Sequence, residues 1–248
     1  MLFRLPVTLL FLLCSCFATA SAAGGERGAS GKGKTEFVLA ASWQPAFCEG
    51  RKQVPECVTQ TTARPDATRF SLHGLWKVRQ SYCGVADEVK VLDKAREWAR
   101  LPPVQLEPAL VAKLSELMPG TQSSLDRHEW IKHGSCSGLD QAGYFGMSLN
   151  LLEELNASAV GRLFASNIGK TLDEARIKAA FDETFGKGAG ERVKMSCRKD
   201  GERRIISELT LGLGGRHVVT APLRERLAAA RPTKFGCPGG EVDAAGFQ

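Results

Sequence analysis

The 248-residue chain contains no C-x-x-C pair, no internal repeat, no inter-domain linker and only four histidines. Without closely spaced cysteines, a zinc ribbon or a thioredoxin-like redox site has no ligands to build from. Past the N-terminus no apolar run is long enough to cross a bilayer, so the mature chain is expected to lack a membrane span. The scarcity of histidine gives weight to where the four stand. Two of them, with a carboxylate, a lysine and a cysteine, fall within Arg127-His128-Glu129-Trp130-Ile131-Lys132-His133-Gly134-Ser135-Cys136. What the chain has in excess is positive charge, +6 with a sequence pI of about 8.9. That balance suits a polyanion such as nucleic acid or a membrane surface, although many secreted proteins share it.

Met1 to Arg4 is a short basic start, Leu5 to Phe17 is apolar, and Ala18-Thr19-Ala20-Ser21-Ala22 offers small-residue cleavage sites. This pattern predicts a secretory signal peptide over residues 1–22 and a periplasmic or secreted protein. Cys14 and Cys16 then belong to the leader, with a lipid anchor at Cys14 as a minor alternative. Six cysteines remain, and an even number in an exported chain predicts three disulfides. Spacing alone leaves all of their possible pairings open. Residues 23–35, rich in Gly, Ser, Lys and Ala, predict a flexible segment ahead of a single domain over residues 36–248.

Phe37-Val38-Leu39-Ala40-Ala41 predicts a buried strand that Pro45 ends, followed by a polar loop between Cys48 and Cys57. From Arg69 to Trp76 the alternation puts Phe70, Leu72, Gly74 and Trp76 on one face and His73 on the other. Helices are predicted over Asp87–Arg100, over Glu107–Met118, and over the histidine-bearing stretch to Gly134, the last capped by Ser123 or Ser124. Gln141–Asn167 reads as one long or broken helix, and a capping box at Thr171 and Glu174 starts another that reaches Phe185. Two strands, Arg192–Cys197 and Arg204–Leu213, join through Lys199-Asp200-Gly201, with a further strand at His217–Thr220. Trp43 and Trp130 read as core, and the sequon at Asn156 as accidental. The class expected is α+β, a central mainly antiparallel sheet with helices packed against it, stabilised by disulfides.

If the stretch from Arg127 is helical, Glu129 and His133 share a face, His128 and Lys132 form a second pair, and the helix C-terminus favours a protonated imidazole. This is acid–base equipment. His-Glu also opens the zinc-protease motif, but that motif needs histidines four apart, whereas these are five apart and point about 140° away from each other at about 100° per residue. For His73, a place lining a cleft and a satisfied structural role are equally open readings on the strand pattern alone.

Ser71-Leu72-His73-Gly74-Leu75-Trp76 and His128-Glu129-Trp130-Ile131-Lys132-His133-Gly134-Ser135-Cys136 together resemble the two active-site segments of the ribonuclease T2 family. Its members are exported, disulfide-bonded, metal-independent endoribonucleases. The resemblance implies that His73 and His133 are the general acid–base pair, with His133 most often the base on the 2′-hydroxyl and His73 the acid on the leaving 5′-oxygen. It implies that Glu129 and Lys132 stabilise the phosphorane, that His128 binds phosphate and that Trp76 packs against a base. It also implies the disulfides Cys48–Cys57, Cys83–Cys136 and Cys197–Cys237. Lys77 replaces a common Pro, and Val78 stands where some fungal members carry a base-reading Asp, so a broad base preference is expected. Tyr82 is a candidate second stacking residue or an ordinary core tyrosine, and His217 matches no catalytic segment. The implied partner is single-stranded RNA, with no stable DNA complex, no metal or organic cofactor, and a monomeric state. The competing classes are a non-catalytic RNA-binding or extracellular interaction protein, which has no need of all of His73, Glu129, Lys132 and His133, and a zinc hydrolase.

Overall fold

The structure, a computed structural model, describes residues 1–3, 33–215 and 220–247. Most of the leader, most of segment 23–35 and the strand expected from His217 lie outside the described residues. The chain divides into two units, Met1–Ser30 and Gly31–Gln248, and every helix and strand below lies in the second.

The elements run β1 (Thr35–Ser42), α1 (Gln44–Cys48), α2 (Pro55–Val58), β2 (Ser71–Lys77), α3 (Asp87–Lys94), α4 (Pro108–Leu117), α5 (Leu125–Lys132), α6 (Gln141–Ala157) and α7 (Ala159–Ala165). They continue through β3 (Thr171–Asp173), α8 (Glu174–Phe185), β4 (Val193–Asp200), β5 (Arg203–Gly214), α9 (Leu223–Ala229) and β6 (Gly239–Glu241). One mixed sheet runs β2-β1-β5-β6-β3, and β4 pairs with β5. All pairings are antiparallel except β5 with β6. The α+β class follows, with α6 laid over β1 and β2 and α9 over β5.

β1 is central because its odd residues Phe37, Leu39 and Ala41 enter the core while Val38 and Ser42 stay half-exposed. In β2 the parity is broken. Ala40 pairs with Gly74 and Ala41 with Leu72, so His73 is the unpaired extra residue of a bulge. Leu72 and Leu75, three apart, therefore both reach the core, and Trp76 does not share the face of Leu72 as simple alternation predicts. A second bulge on β5 skips Ser207, between Ile206 opposite Cys197 and Glu208 opposite Ser196. The outer edge of β2 is covered by Tyr144 of α6, whose hydroxyl donates to the Leu75 carbonyl at 3.0 Å.

Several local expectations are corrected. The first strand does end ahead of Pro45, which lies in the first turn of α1 where a missing N–H costs nothing, but the Cys48–Cys57 loop contains α2. The helix from Asp87 stops at Lys94, since Arg96 is left-handed (φ 61°), and resumes as a short 3-10 turn, Trp98–Arg100. Ser124, itself left-handed, precedes α5 without a side-chain cap, while Ser123 bonds Glu56 instead. The cap of α8 is Asp173, accepting from the Arg176 N–H at 2.8 Å, because Thr171 is engaged in β3. Asn156 does not present a free carboxamide: it accepts from the Phe70 N–H and donates to the Phe70 carbonyl, both at 2.9 Å.

Disulfides join Cys48 to Cys57, Cys83 to Cys136 and Cys197 to Cys237. The second closes 53 residues and ties the end of α5 to the loop after β2. Replacing Cys83 and Cys136 with serine is expected to cost about 4 kcal/mol in the chain-entropy account. Urea midpoints under non-reducing conditions measure it; a loss below about 1 kcal/mol would mean the β2 loop is held by packing alone.

Candidate active site

The site is assembled where the bulge of β2 meets α5. The bulge turns His73 away from the core, and its Nδ1 lies 2.6 Å from Oε2 of Glu208 on β5. Ser42 of β1, paired on one side with Ser71 and on the other with Glu208, is the small residue across which this contact is made. On the opposite side, His73 Nε2 is 4.0 Å from Oε1 of Glu129.

Glu129 is buried in α5, at 1% exposure. Its Oε2 accepts from the Trp76 indole N–H at 2.9 Å, and its Oε1 lies 3.8 Å from His128 Nε2. Gly74 makes this possible, since a Cβ there would sit 1.8 Å from Glu129 Oε2. His128 Nδ1 lies 2.6 Å from Asp93 Oδ1, and the other oxygen of Asp93 accepts from the Tyr82 hydroxyl at 2.6 Å. Trp98, delivered by the break after α3, stacks on His128 with centroids 4.5 Å apart.

His133 stands just beyond the last helical residue, with φ −117°. Its ring lies 5.6 Å from Trp76 and 6.4 Å from His128, and its buried Nδ1 has no hydrogen-bond partner among the described residues. The Trp76 ring also meets His73, edge-on at 5.2 Å. One indole thus touches both imidazoles. Lys132 closes α5, its carbonyl accepting from the Tyr82 N–H at 2.9 Å. Beside His73 opens a cavity of about 450 Å³ whose walls include Phe47, Leu72, Trp98 and Glu208. Among the described residues no group of three or more His, Cys, Asp or Glu is arranged to hold a metal ion.

The profile of the ribonuclease T2 family matches residues 35–222. The chain belongs to the ribonuclease T2 family. It is 32% identical to Ribonuclease I of Escherichia coli (strain K12) over 224 residues, covering 81% of this chain and 82% of that protein. Ribonuclease 1 of Arabidopsis thaliana is 27% identical over 202 residues, 79% of this chain and 78% of that one. In fold, the chain resembles solved structures of human RNase T2 (TM-score 0.51, 20% identity) and of trichomaglin, an S-like ribonuclease (TM-score 0.54, 18% identity). These cover 85% and 86% of this chain and 98% and 99% of theirs. The protein is an endoribonuclease.

In this T2 ribonuclease the two imidazoles of the resemblance carry opposite electrostatics. For His73, burial alone lowers the pKa, but the Glu208 hydrogen bond and the charges of Glu129 and Glu208 outweigh it and Lys132, and the net shift is upward. His133 is pushed down to about 3 by burial, then by Lys132, His128 and His73. Burial also lifts Glu129 to about 7 against the pull of His73, Trp76 and Lys132. Burial lowers His128, with Asp93 opposing.

Two expectations for this T2 ribonuclease are overturned. The Glu129 carboxylate does not meet His133, as a shared helix face predicts it would: it faces Trp76, His73 and His128, although the His133 N–H still bonds the Glu129 carbonyl at 3.0 Å. The helix C-terminus does not protonate His133 either, since burial and neighbouring positive groups outweigh a partial charge. Glu208, Asp93 and Trp98 were not singled out from the sequence. Only Glu208 carried a signal, as the sole acid within the apolar strand Ile205–Leu213. A further acid in a helix that already carries Asp87 and Glu88, as with Asp93, announces nothing.

Proposed function

We propose that this endoribonuclease cleaves single-stranded RNA by transesterification, leaving a 2′,3′-cyclic phosphate that is then hydrolysed to a 3′-phosphate, with broad base preference and outside the cytoplasm. The observation that carries this reading is the pair of imidazoles on one indole, one beside two carboxylates and one beside a lysine. The first keeps a proton to give, and the second is free to take one. His133, neutral, accepts the proton of the 2′-hydroxyl as its oxygen bonds phosphorus. His73 delivers a proton from Nε2 to the 5′-oxygen as the P–O5′ bond breaks. Lys132 offsets the charge that develops on the phosphoryl oxygens, and Glu129, between the Nε2 atoms of His73 and His128, helps to stabilise the phosphorane. His128 binds the phosphate, and Trp76 and Tyr82 offer aromatic surface to bases. The leader pattern and three disulfides support export.

Matched RNA and DNA oligonucleotides in excess EDTA near pH 6, with product ends read by mass spectrometry, test the reaction. DNA lacks the 2′-hydroxyl nucleophile and is expected to stay intact, while RNA yields cyclic-phosphate ends. Cleavage of both polymers, or activity abolished by EDTA, would sink the mechanism. A base works above its pKa and an acid below it. The kcat/KM profile is therefore expected to hold at low pH and to fall through the raised pKa of His73, above the ordinary imidazole value of about 6.5. Bound phosphodiester, being anionic, raises His133, so the acid limb of kcat lies at higher pH than that of kcat/KM.

A further inference from the structure

Glu208 belongs to neither active-site segment and reaches His73 across 135 residues of sequence. Among the described residues, His73 Nδ1 is the only hydrogen-bond partner of its carboxylate. The two strands that carry the pair each spend a bulge on it. His73 is itself the extra residue of β2, and Ser207, immediately before Glu208, is the extra residue of β5. Bulges re-aim side chains at the expense of ladder hydrogen bonds, and here two of them turn toward one contact. The contact lies on the wall of the open cavity, with the Glu208 side chain 18% exposed, so packing of the core does not account for it.

We propose that Glu208 is the positioning residue of the general acid: its carboxylate accepts the Nδ1–H of His73 and thereby fixes the transferable proton on Nε2. This rests on reading His73 as the acid. The logic is that of a carboxylate holding an imidazole in one tautomer and stabilising its charged form. When the P–O5′ bond breaks, the Nε2 proton passes to the 5′-oxygen, while the proton from the 2′-hydroxyl rests on His133. His73 is left neutral with Nδ1–H still bonded to Glu208. Its bare Nε2 is then the base for the water that opens the cyclic phosphate, and His133 returns its proton to the 2′-oxygen. Without the carboxylate the imidazole is free to turn or to hold the wrong tautomer in both steps.

The charged and titratable groups facing His73 are Glu208 from β5, Glu129, Lys132 and His128 from α5, and His133 just after it. Arg51, Glu56 and Arg198 share the cavity wall. Removing the Glu208 charge takes away a contribution that holds the proton on His73, so the alkaline limb of activity is expected to move to lower pH.

Leaving-group dependence tests the proposal. Glu208→Gln, Glu208→Asp and His73→Ala are compared with wild type on a dinucleoside phosphate, whose alkoxide must be protonated, and on a uridine 3′-(4-nitrophenyl phosphate), whose phenolate needs no proton. Glu208→Gln is expected to lose about 10²-fold in kcat on the dinucleoside with little change in KM, to lose far less on the aryl ester, and to shift the alkaline limb down. Glu208→Asp, which keeps the charge and shortens the reach, recovers part of the loss. Thermal midpoints check that each variant is folded. Equal losses on both substrates, or an unmoved alkaline limb, overturn the role given to Glu208. If His73→Ala itself loses equally on both substrates, the reading of His73 as the acid fails instead.

Discussion

His133→Ala is expected to slow RNA cleavage by about 10²–10⁴-fold, and His73→Ala by a similar factor, each being a positioned proton-transfer group. The double variant is expected to be little worse than the poorer single one, because an acid and a base acting on one transition state are strongly non-additive. Neither loss should come from unfolding. His73 is half-exposed and bonded to a partly exposed carboxylate, and His133 keeps a buried nitrogen without a partner among the described residues. Removing a buried unsatisfied polar atom offsets part of the packing lost with the ring, so the urea midpoint of His133→Ala is expected to stay within about 1 kcal/mol of wild type. A folded His133→Ala enzyme with full activity would remove it from the mechanism. A variant that unfolds would show that the ring is structural.

The two active-site segments were legible because the residue types that move protons are rare in this chain and stand close together in sequence. The strand and the helix that hold them were legible from periodicity. Six of the seven residues singled out lie along one series of contacts through Glu129, Trp76 and Asp93, and Lys132 joins it through its carbonyl, which accepts from the Tyr82 N–H. What periodicity misplaced was direction. One unpaired residue at His73 inverts the faces of β2, and no local pattern distinguishes a bulged strand from a regular one. At the helix end the His133 N–H likewise still bonds the Glu129 carbonyl, but the carboxylate turns to the other histidine. The partners that decide protonation, Glu208 and Asp93, come from elements 135 and 35 residues away from the histidines they bind. Contacts of that range are set by the sheet order and by the break at Arg96, neither of which is written in a window of ten residues.

The strictest constraint on the site is the absence of a side chain at Gly74. A methyl group there would lie 1.8 Å from Glu129 Oε2, 2.5 Å from its Cδ and 2.7 Å from Trp76 Nε1. Glu129 has no room to retreat, being 1% exposed and held by the indole, so either the carboxylate or the strand must move. Gly74→Ala is therefore expected to cost about 1–3 kcal/mol of stability. It is also expected to reduce cleavage about as much as Glu129→Ala does, since both take the carboxylate from between His73 and His128. Combining the two separates these effects. Gly74→Ala with Glu129→Ala removes the two shorter clashes and leaves the one with Trp76 Nε1, so it should recover part of the stability, while activity stays low. Gly146→Ala is the control: a Cβ there meets nothing within 4 Å and its backbone is helical, so alanine is expected to be neutral or stabilising by up to about 1 kcal/mol. A Gly74→Ala enzyme as active as wild type would mean that Glu129 can leave Trp76 without consequence. Its proposed place beside the phosphoryl oxygens would then be untenable, and Lys132 alone would carry the charge that develops there.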